Sequence, residues 1–158
     1  MPAFTHIDHQ GQVRMVDVSF KEPTLRVAVA QGVISMNSAT FENIYRLNIK
    51  KGNVLETARI AGLMAAKRTS ELIPMCHPLN MTHIAIEFYP DKETNSIRIE
   101  ATVRIIERTG VEMEALTAVS IAALTIYDMC KSYDRSMSIS DIYLVEKSGG
   151  KSGTFVRE

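Results

Sequence analysis

The chain has 158 residues, of which 46% are apolar and 23% charged, a composition typical of a folded globular protein and not of a disordered one. Its 18 basic and 18 acidic side chains give a net charge of zero, which argues against a protein that holds nucleic acid through bulk positive charge. The longest nearly apolar stretch, residues 115–127, is too short to span a bilayer, and no signal peptide is visible. We therefore expect a cytoplasmic protein with no membrane partner.

The length predicts a single domain over residues 1–158. Residues 1–12 and 148–158 are polar or rich in glycine, so we expect flexible tails there, or arms that a ligand orders. Apolar residues with a period of two predict four strands. In the first, near 25–33, leucine and valine alternate with arginine and alanine, which predicts a strand with one face in a core.

Strands at 84–88 and 97–105 flank a turn-rich segment and predict a hairpin, and the last strand lies near 139–145. Helices are predicted at 38–47, 54–72 and 110–132. Asn53 is a candidate N-cap of the second helix, and Thr109 with Glu112 fits a capping box for the third. The order of elements predicts an α+β fold of the ferredoxin-like (split βαβ) type, an antiparallel sheet with helices on one face.

Asp128 and Lys131 lie three residues apart near the end of the last helix, so their side chains share a face. One interpretation is an ordinary ion pair at a helix end, which the helix dipole favours. The other is a partly desolvated lysine with a lowered pKa that moves protons, oriented by the aspartate.

The segment LIPMCHPL, residues 72–79, places Met75, Cys76 and His77 between two prolines that restrict the backbone. A segment stiffened in this way suits ligand binding, and the alternative is a rigid connection with a buried cysteine. A metal site is not predicted, because only Cys130 offers a second thiolate and no CxxC or HxxxH spacing occurs.

Basic side chains accompany several glycines, which let backbone amides approach a phosphate. They predict an anion site, against the alternative of solvated surface lysines, and comprise Lys50 and Lys51, Lys67 and Arg68, and Lys147 and Lys151. The tail KSGGKSG is not a P-loop, since that pattern needs glycine where this chain has Val145. At the start of the last helix, Glu112 either completes the capping box or forms with Glu114 a carboxylate pair that holds the N–H donors of a guanine-like ring.

Two blocks carry a resemblance: KKGNVLETARIAGLMAAKRTSELIPMCHPL (50–79) and TGVEMEALTAVSIAALTIYDMCK (109–131). With KSGGKSG after them and MVDVSFKEPTLRVAVAQG before them, the chain resembles the cyclic pyranopterin monophosphate synthase family, the C proteins of molybdenum cofactor biosynthesis, over nearly its whole length. Its departures from the family pattern are small, namely Asn53 for Asp, Met75 for Leu and Arg108 for Lys.

The resemblance implies a substrate, (8S)-3′,8-cyclo-7,8-dihydroguanosine 5′-triphosphate, which a radical-SAM enzyme makes upstream. This compound is rearranged to cyclic pyranopterin monophosphate with release of pyrophosphate and without a cofactor. The resemblance does not specify whether Mg²⁺ accompanies the triphosphate. The resemblance implies catalytic roles for Asp128, Lys131, Lys51 and His77. It implies substrate contacts from Met75, Cys76, His77, Glu112, Met113, Glu114, Lys67, Lys147 and Lys151, with Glu112 either a cap or a catalytic carboxylate.

The family also implies a homohexamer, a trimer of dimers, with active sites at a dimer interface; such an assembly would explain how Lys51 and Lys131 meet in one pocket. Two other classes compete. An RNA-recognition module shares the element order, but the strand RIEATVRI has no aromatic residue on which a base could stack. A ligand-sensing domain would bind the nucleotide without turnover.

Overall fold

The structure, a computed structural model, describes residues 5–158. Within this range the chain forms strands and helices in an order that matches the prediction, with a short strand added at the end. They are β1 (Thr24–Ser35), α1 (Ser38–Tyr45), α2 (Val54–Lys67), α3 (Thr69–Leu72), β2 (His83–Asp91), β3 (Ser96–Glu107), α4 (Glu112–Cys130), β4 (Ser138–Ser148) and β5 (Phe155–Val156).

The strands form one antiparallel sheet in the order β2-β3-β1-β4-β5. β1 is the central strand and pairs along its whole length with β3, from Thr24 opposite Glu107 to Ser35 opposite Ser96. β3 thus lies between β1 and β2, which is the split βαβ arrangement. Helix α4 packs on β1, β3 and β4, and α2 packs on β2 and on α4. The predicted α+β class, with helices covering an antiparallel sheet, is confirmed.

The core face of β1 carries its small residues and not its leucine and valines. Its buried side runs from Arg26 through two alanines and Gly32 to Ile34, whereas the valines at 27, 29 and 33 are only half buried on the other face. Helix α4 requires small residues on this face, because a Cβ on Gly32 would lie 2.7 Å from Cγ1 of Val119. Hydrophobicity alone does not identify this face, because the space under a closely packed helix admits only small side chains.

The helix ends are set by local hydrogen bonds. The predicted cap of α2 is confirmed, since the Asn53 side chain accepts a hydrogen bond from the backbone N–H of Glu56 at 3.2 Å. The predicted helix 54–72 is instead divided at Arg68 into α2 and α3. The capping box at α4 is wrong as well, because Val111 is the N-cap and no side chain caps this helix. Thr109 lines a cleft instead.

Helix α4 is the one helix within residues 5–158 that is long and apolar enough to cross a membrane. More than half of its most apolar window is buried against the sheet and α2, with Ala115, Ala118, Ala122 and Ile126 fully inaccessible. Its apolar side chains therefore form the core of the fold.

The end of the chain adds an edge strand. β5 pairs with β4, and the backbone N–H of Arg157 donates to the carbonyl of Val145 at 2.8 Å. The Arg157 guanidinium also lies 4.5 Å from the ring centroid of Tyr143, a cation–π contact. Part of the segment predicted as a tail thus has a defined place beside β4.

We expect Gly32→Ala to destabilise the fold by roughly 1–3 kcal/mol, because its new methyl group overlaps Val119. In the double variant with Val119→Ala the overlap is removed. The loss of stability in the double variant should therefore be smaller than the sum of the losses in the two single variants. Urea denaturation of the four proteins measures this. Strictly additive free energies of unfolding would show that the close approach of α4 does not limit residue 32.

Candidate functional site

A cleft that contains several predicted site residues lies where three segments meet at the start of α4. It has a volume of about 290 Å³. The segment before β1, the loop after α3 and the turn from β3 into α4 supply its walls. Its lining residues are Thr5, His6, Val16, Val18, Lys21, Met75, Cys76, His77, Leu79, Thr109, Gly110, Glu112, Met113 and Glu114. Six residues predicted as substrate contacts, in two separate stretches of sequence, are therefore brought together.

The loop after α3 is held by a tight turn. The backbone N–H of Cys76 donates to the carbonyl of Ile73 at 3.1 Å, with Pro74 as the second residue of the turn, a position that the fixed φ of proline suits. The imidazole of His77 is hydrogen-bonded through Nε2 to the carbonyl of Val16 at 2.8 Å. The turn and this bond fix Met75, Cys76 and His77 against the cleft.

Glu114 is an almost fully buried carboxyl group, only 4% exposed, on the cleft side of α4. Burial raises the pKa of Glu114 to about 7, and the neighbouring Glu112 charge adds to the rise while a backbone hydrogen bond opposes it. A group with this pKa can give or take a proton near neutral pH. Burial, with a smaller effect of Glu114, also raises the pKa of the Cys76 thiol, which disfavours a thiolate there.

Glu112 does not cap α4. Its carboxylate lies 3.4 Å from Nζ of Lys147 in β4, and both side chains are largely buried, at 30% and 17% exposure. Lys147 also donates to the Ser152 hydroxyl. The ion pair joins the start of α4 to the loop after β4, so the cap interpretation of Glu112 is replaced by an electrostatic contact at the edge of the cleft.

A second, basic cavity adjoins the cleft, with a volume of about 620 Å³. Lys21 lines both cavities. The remaining lining residues are Phe20, Glu22, Thr24, Arg26, Gly150, Lys151 and Ser152. Lys151 thus lies in the cavity beside the cleft, together with two cations that the sequence analysis did not assign.

Arg26 holds the two loops beside this cavity together. Its guanidinium, buried to 9% exposure, donates to the carbonyls of Glu107, Arg108 and Gly149, each at 3.3 Å. Gly149 has a φ of +96°, and a Cβ there would overlap the carbonyl of Leu25, so glycine is required for this approach. The signal in the sequence was an arginine on the face of β1 that carries the small residues.

Lys51, Asp128 and Lys131 form a separate cluster at the other end of α4. The Lys131 ammonium lies 2.7 Å from Oδ1 of Asp128, and Lys51 donates to the Asp128 backbone carbonyl at 3.0 Å. The hydrogen bond and charge of Lys131, with a smaller effect of Lys51, lower the pKa of Asp128. Lys51 and Lys131 thus meet within one chain, so an oligomer is not required to explain their proximity.

The cluster and the cleft are far apart. Sixteen residues of α4 separate Glu112 from Asp128, which at 1.5 Å per residue is about 24 Å. The side chains of Asp128 and Lys131 are also more than half exposed, at 61% and 53%. Within one chain the predicted site residues therefore form two groups at opposite ends of a rigid helix.

Lys67 belongs to neither group: it ends α2 and lines neither cavity, and its phosphate contact stays a prediction. Cys130 is buried, and burial raises the pKa of its thiol to about 11. Between residues 5 and 158, no cluster of three or more His, Cys, Asp or Glu side chains is placed to hold a metal ion.

Comparison with known proteins places the chain in one family. Residues 15–150 match the MoaC family. The cyclic pyranopterin monophosphate synthase of Desulforapulum autotrophicum is 65% identical over 158 residues, which is all of this chain and 97% of the relative. The proteins of the same name from Desulfatibacillum aliphaticivorans and a Roseiflexus species are 62% and 57% identical, with 100% of this chain covered and 99% and 100% of the relatives.

The chain belongs to the MoaC family. Its activity is that of a cyclic pyranopterin monophosphate synthase in molybdenum cofactor biosynthesis. The family resemblance found in the sequence is thereby confirmed.

The buried carboxyl of Glu114 predicts a pH-dependent stability. Between pH 4.5 and about 7 the folded chain retains a proton that the unfolded chain has released, so stability falls as pH rises through this window. Glu114→Gln lacks this titration. Its free energy of unfolding should therefore exceed that of the wild type by up to roughly 3 kcal/mol above pH 7, and by nothing on this account below pH 4.5.

Urea denaturation at pH 4.5, 6 and 8 measures this difference, with the exposed Glu71→Gln as matched control. If the free energy of unfolding depended on pH in the same way for wild type and Glu114→Gln, Glu114 would titrate normally in the folded protein.

Proposed function

We propose that the enzyme converts (8S)-3′,8-cyclo-7,8-dihydroguanosine 5′-triphosphate to cyclic pyranopterin monophosphate and pyrophosphate, in a site to which two copies of the chain contribute. The observation that carries this proposal is the cleft with a buried carboxyl group beside a cavity lined by cations. A guanine-derived ring needs hydrogen-bond acceptors, and a triphosphate needs positive charge. The two adjoining cavities provide both.

The ring fits the cleft. Glu114 offers carboxyl oxygens in a nearly dry environment, where a hydrogen bond from a ring N–H is strengthened. Met75 and Met113 line the same cleft and supply adaptable apolar contacts. We assign Met75, Cys76, His77, Met113 and Glu114 to binding of the base.

The phosphates fit the basic cavity. Arg26 and Lys151 line it, and Lys147 stands between it and the cleft through its contacts to Glu112 and Ser152. Cations in these places hold the triphosphate and stabilise the negative charge on the leaving pyrophosphate. The reaction closes a cyclic phosphate on the α-phosphorus: a sugar oxygen forms the new P–O bond, and the bond from the α-phosphorus to the pyrophosphate oxygen breaks.

Proton transfer belongs to the cluster of Lys51, Asp128 and Lys131. An acid or base acts only within about 3 Å of the proton that it moves, and the cluster lies about 24 Å along α4 from Glu112. One chain therefore cannot apply both groups to one substrate. Two chains can, if the cluster of one lies beside the cleft of the other.

Helix α4 has a suitable surface for this contact. Met113, Leu124 and Asp128 are exposed, and Leu116 and Ser120 are half exposed; together they form one stripe at helical spacing. In a two-fold dimer the same surface meets itself in reverse. Two stripes that run antiparallel bring the 113 end of one helix to the 128 end of the other, so the cluster and the cleft meet twice per dimer.

We further propose a hexamer built as a trimer of such dimers, a cytoplasmic location, and supply of the substrate by a radical-SAM enzyme. These proposals are supported by the family to which the chain belongs.

The purified protein should release pyrophosphate and form a pterin when it is given the 3′,8-cyclised GTP derivative, and should do neither with GTP. Coupled phosphate detection and pterin fluorescence measure the two products. Tight binding without product would indicate a ligand-sensing protein, and absence of binding by the folded protein would contradict the assignment of the substrate.

Mixing inactive variants tests the composite site. Glu112→Gln damages the cleft and Lys131→Ala the cluster, so each alone should lose most activity. Co-expressed dimers combine an intact cleft with an intact cluster at about one site in four, so about a quarter of the wild-type activity should return. Lys131→Ala mixed with Asp128→Asn is the matched control, because both lie in the cluster. No recovery in the first mixture would mean that each site is formed by one chain.

A further inference from the structure

The segment before β1, residues 5–21, forms one wall of the cleft and is here called the strap. Its first part turns back on itself, with a bridge between Ile7 and Val13 and a hydrogen bond from the N–H of Arg14 to the carbonyl of His6. Its second part runs along the cleft and contributes Val16, Val18 and Lys21 to the lining. The strap has no place in the sheet or the helical layer.

The strap is weakly attached to the rest of the molecule. Its backbone hydrogen bonds, such as that from Lys21 N–H to the Val18 carbonyl, are internal to it. Four of its apolar side chains point to solvent, with 44–73% of their surface exposed: Ile7, Val13, Met15 and Phe20. A segment with few buried apolar contacts opens at low cost in free energy.

One hydrogen bond joins the strap to the body within the described chain. It is the bond between Nε2 of His77 and the carbonyl of Val16, at 2.8 Å. Because a carbonyl oxygen can only accept, Nε2 carries the proton and donates it. His77 lies in the loop after α3, which the turn at Pro74 holds in place, so a fixed group fastens a loosely attached segment.

Lys21 gives the strap a direct connection to the ligand. It is the residue that lines both the cleft and the basic cavity, so its side chain stands where the two adjoin. A phosphate chain that leaves the cleft for the cavity passes this point. Closure of the strap would therefore bring a cation to the ligand, and an anion bound there would hold the strap closed.

We propose that the strap is a movable wall of the substrate site, that His77 latches it closed through Val16, and that Lys21 is the strap's contact with the substrate's phosphates. His77 is in this respect a positioning residue, in addition to the catalytic role that the family resemblance implies for it. The proposal rests on the proposed function for the identity of the anion, but the latch itself is tested without turnover.

Limited proteolysis tests the latch. Trypsin cleaves detached, extended chain, so we expect faster cleavage after Arg14 when the strap leaves the cleft. The exposed Lys92 in the β2–β3 turn serves as an internal control. His77→Ala and His77→Phe remove the donor, so cleavage at Arg14 should become about three- to tenfold faster while cleavage at Lys92 is unchanged. His77→Gln places an N–H near the position of Nε2 and should stay close to the wild type. Wild-type rates in both His77→Ala and His77→Phe would overturn the latch.

Inorganic pyrophosphate tests Lys21. It should slow cleavage at Arg14 in the wild type and have no such effect in Lys21→Met, with Arg14 itself intact in both proteins. In turnover of the cyclised GTP derivative, Lys21→Met should raise KM at least about tenfold with kcat within about threefold. Lys21→Arg should restore most of the affinity, and Arg14→Met, which removes a strap cation outside both cavities, should leave KM unchanged.

The two proposals fail in different ways. An enzyme that turns over the substrate but shows no response of the strap to His77 or to pyrophosphate would overturn the strap proposal and leave the proposed function intact. A protein whose strap responds to pyrophosphate but which forms no product would contradict the proposed function alone.

Discussion

The close approach of α4 to the sheet and to α2 is the constraint on which the rest of the structure depends. A Cβ on Gly32 would overlap Val119 of α4, and a Cβ on Gly62 of α2 would lie 2.9 Å from the carbonyl of Ala118. Helix α4 therefore packs closely against small residues of β1 and α2 and has little freedom to shift. Because the cleft is at one end of this helix and the lysine cluster at the other, the distance between the two functional groups is fixed by the core.

The regular elements could be predicted where one physical signal dominated. The alternation in β3 and the cap at Asn53 were read correctly because burial and a local hydrogen bond act on neighbouring residues. The buried face of β1 could not be predicted, because it depends on the volume left under a helix that is distant in sequence. The start of α4 failed for a related reason: Glu112 pairs with Lys147, 35 positions later, and not with its own helix end.

For the site, sequence patterns named residues but not their grouping. The rigid loop and the start of α4 were both recognised, and the structure places them in one cleft. The division of the remaining residues into a second group could not be seen without the length and direction of α4. Arg26 and Lys21 were missed because a single basic residue in a strand or in an exposed segment carries no local pattern. Only tertiary contacts show that both border the same cavity.

Arg26 also determines when the site becomes complete. Its three carbonyl partners follow it by 81, 82 and 123 positions, and the last of them, Gly149, stands close to the end of the chain. During synthesis this buried guanidinium lacks a full set of acceptors until nearly all of the protein has been made. The loops around the basic cavity can therefore be joined only after residues up to Gly149 have been made, which is later than β1, β3 and α4.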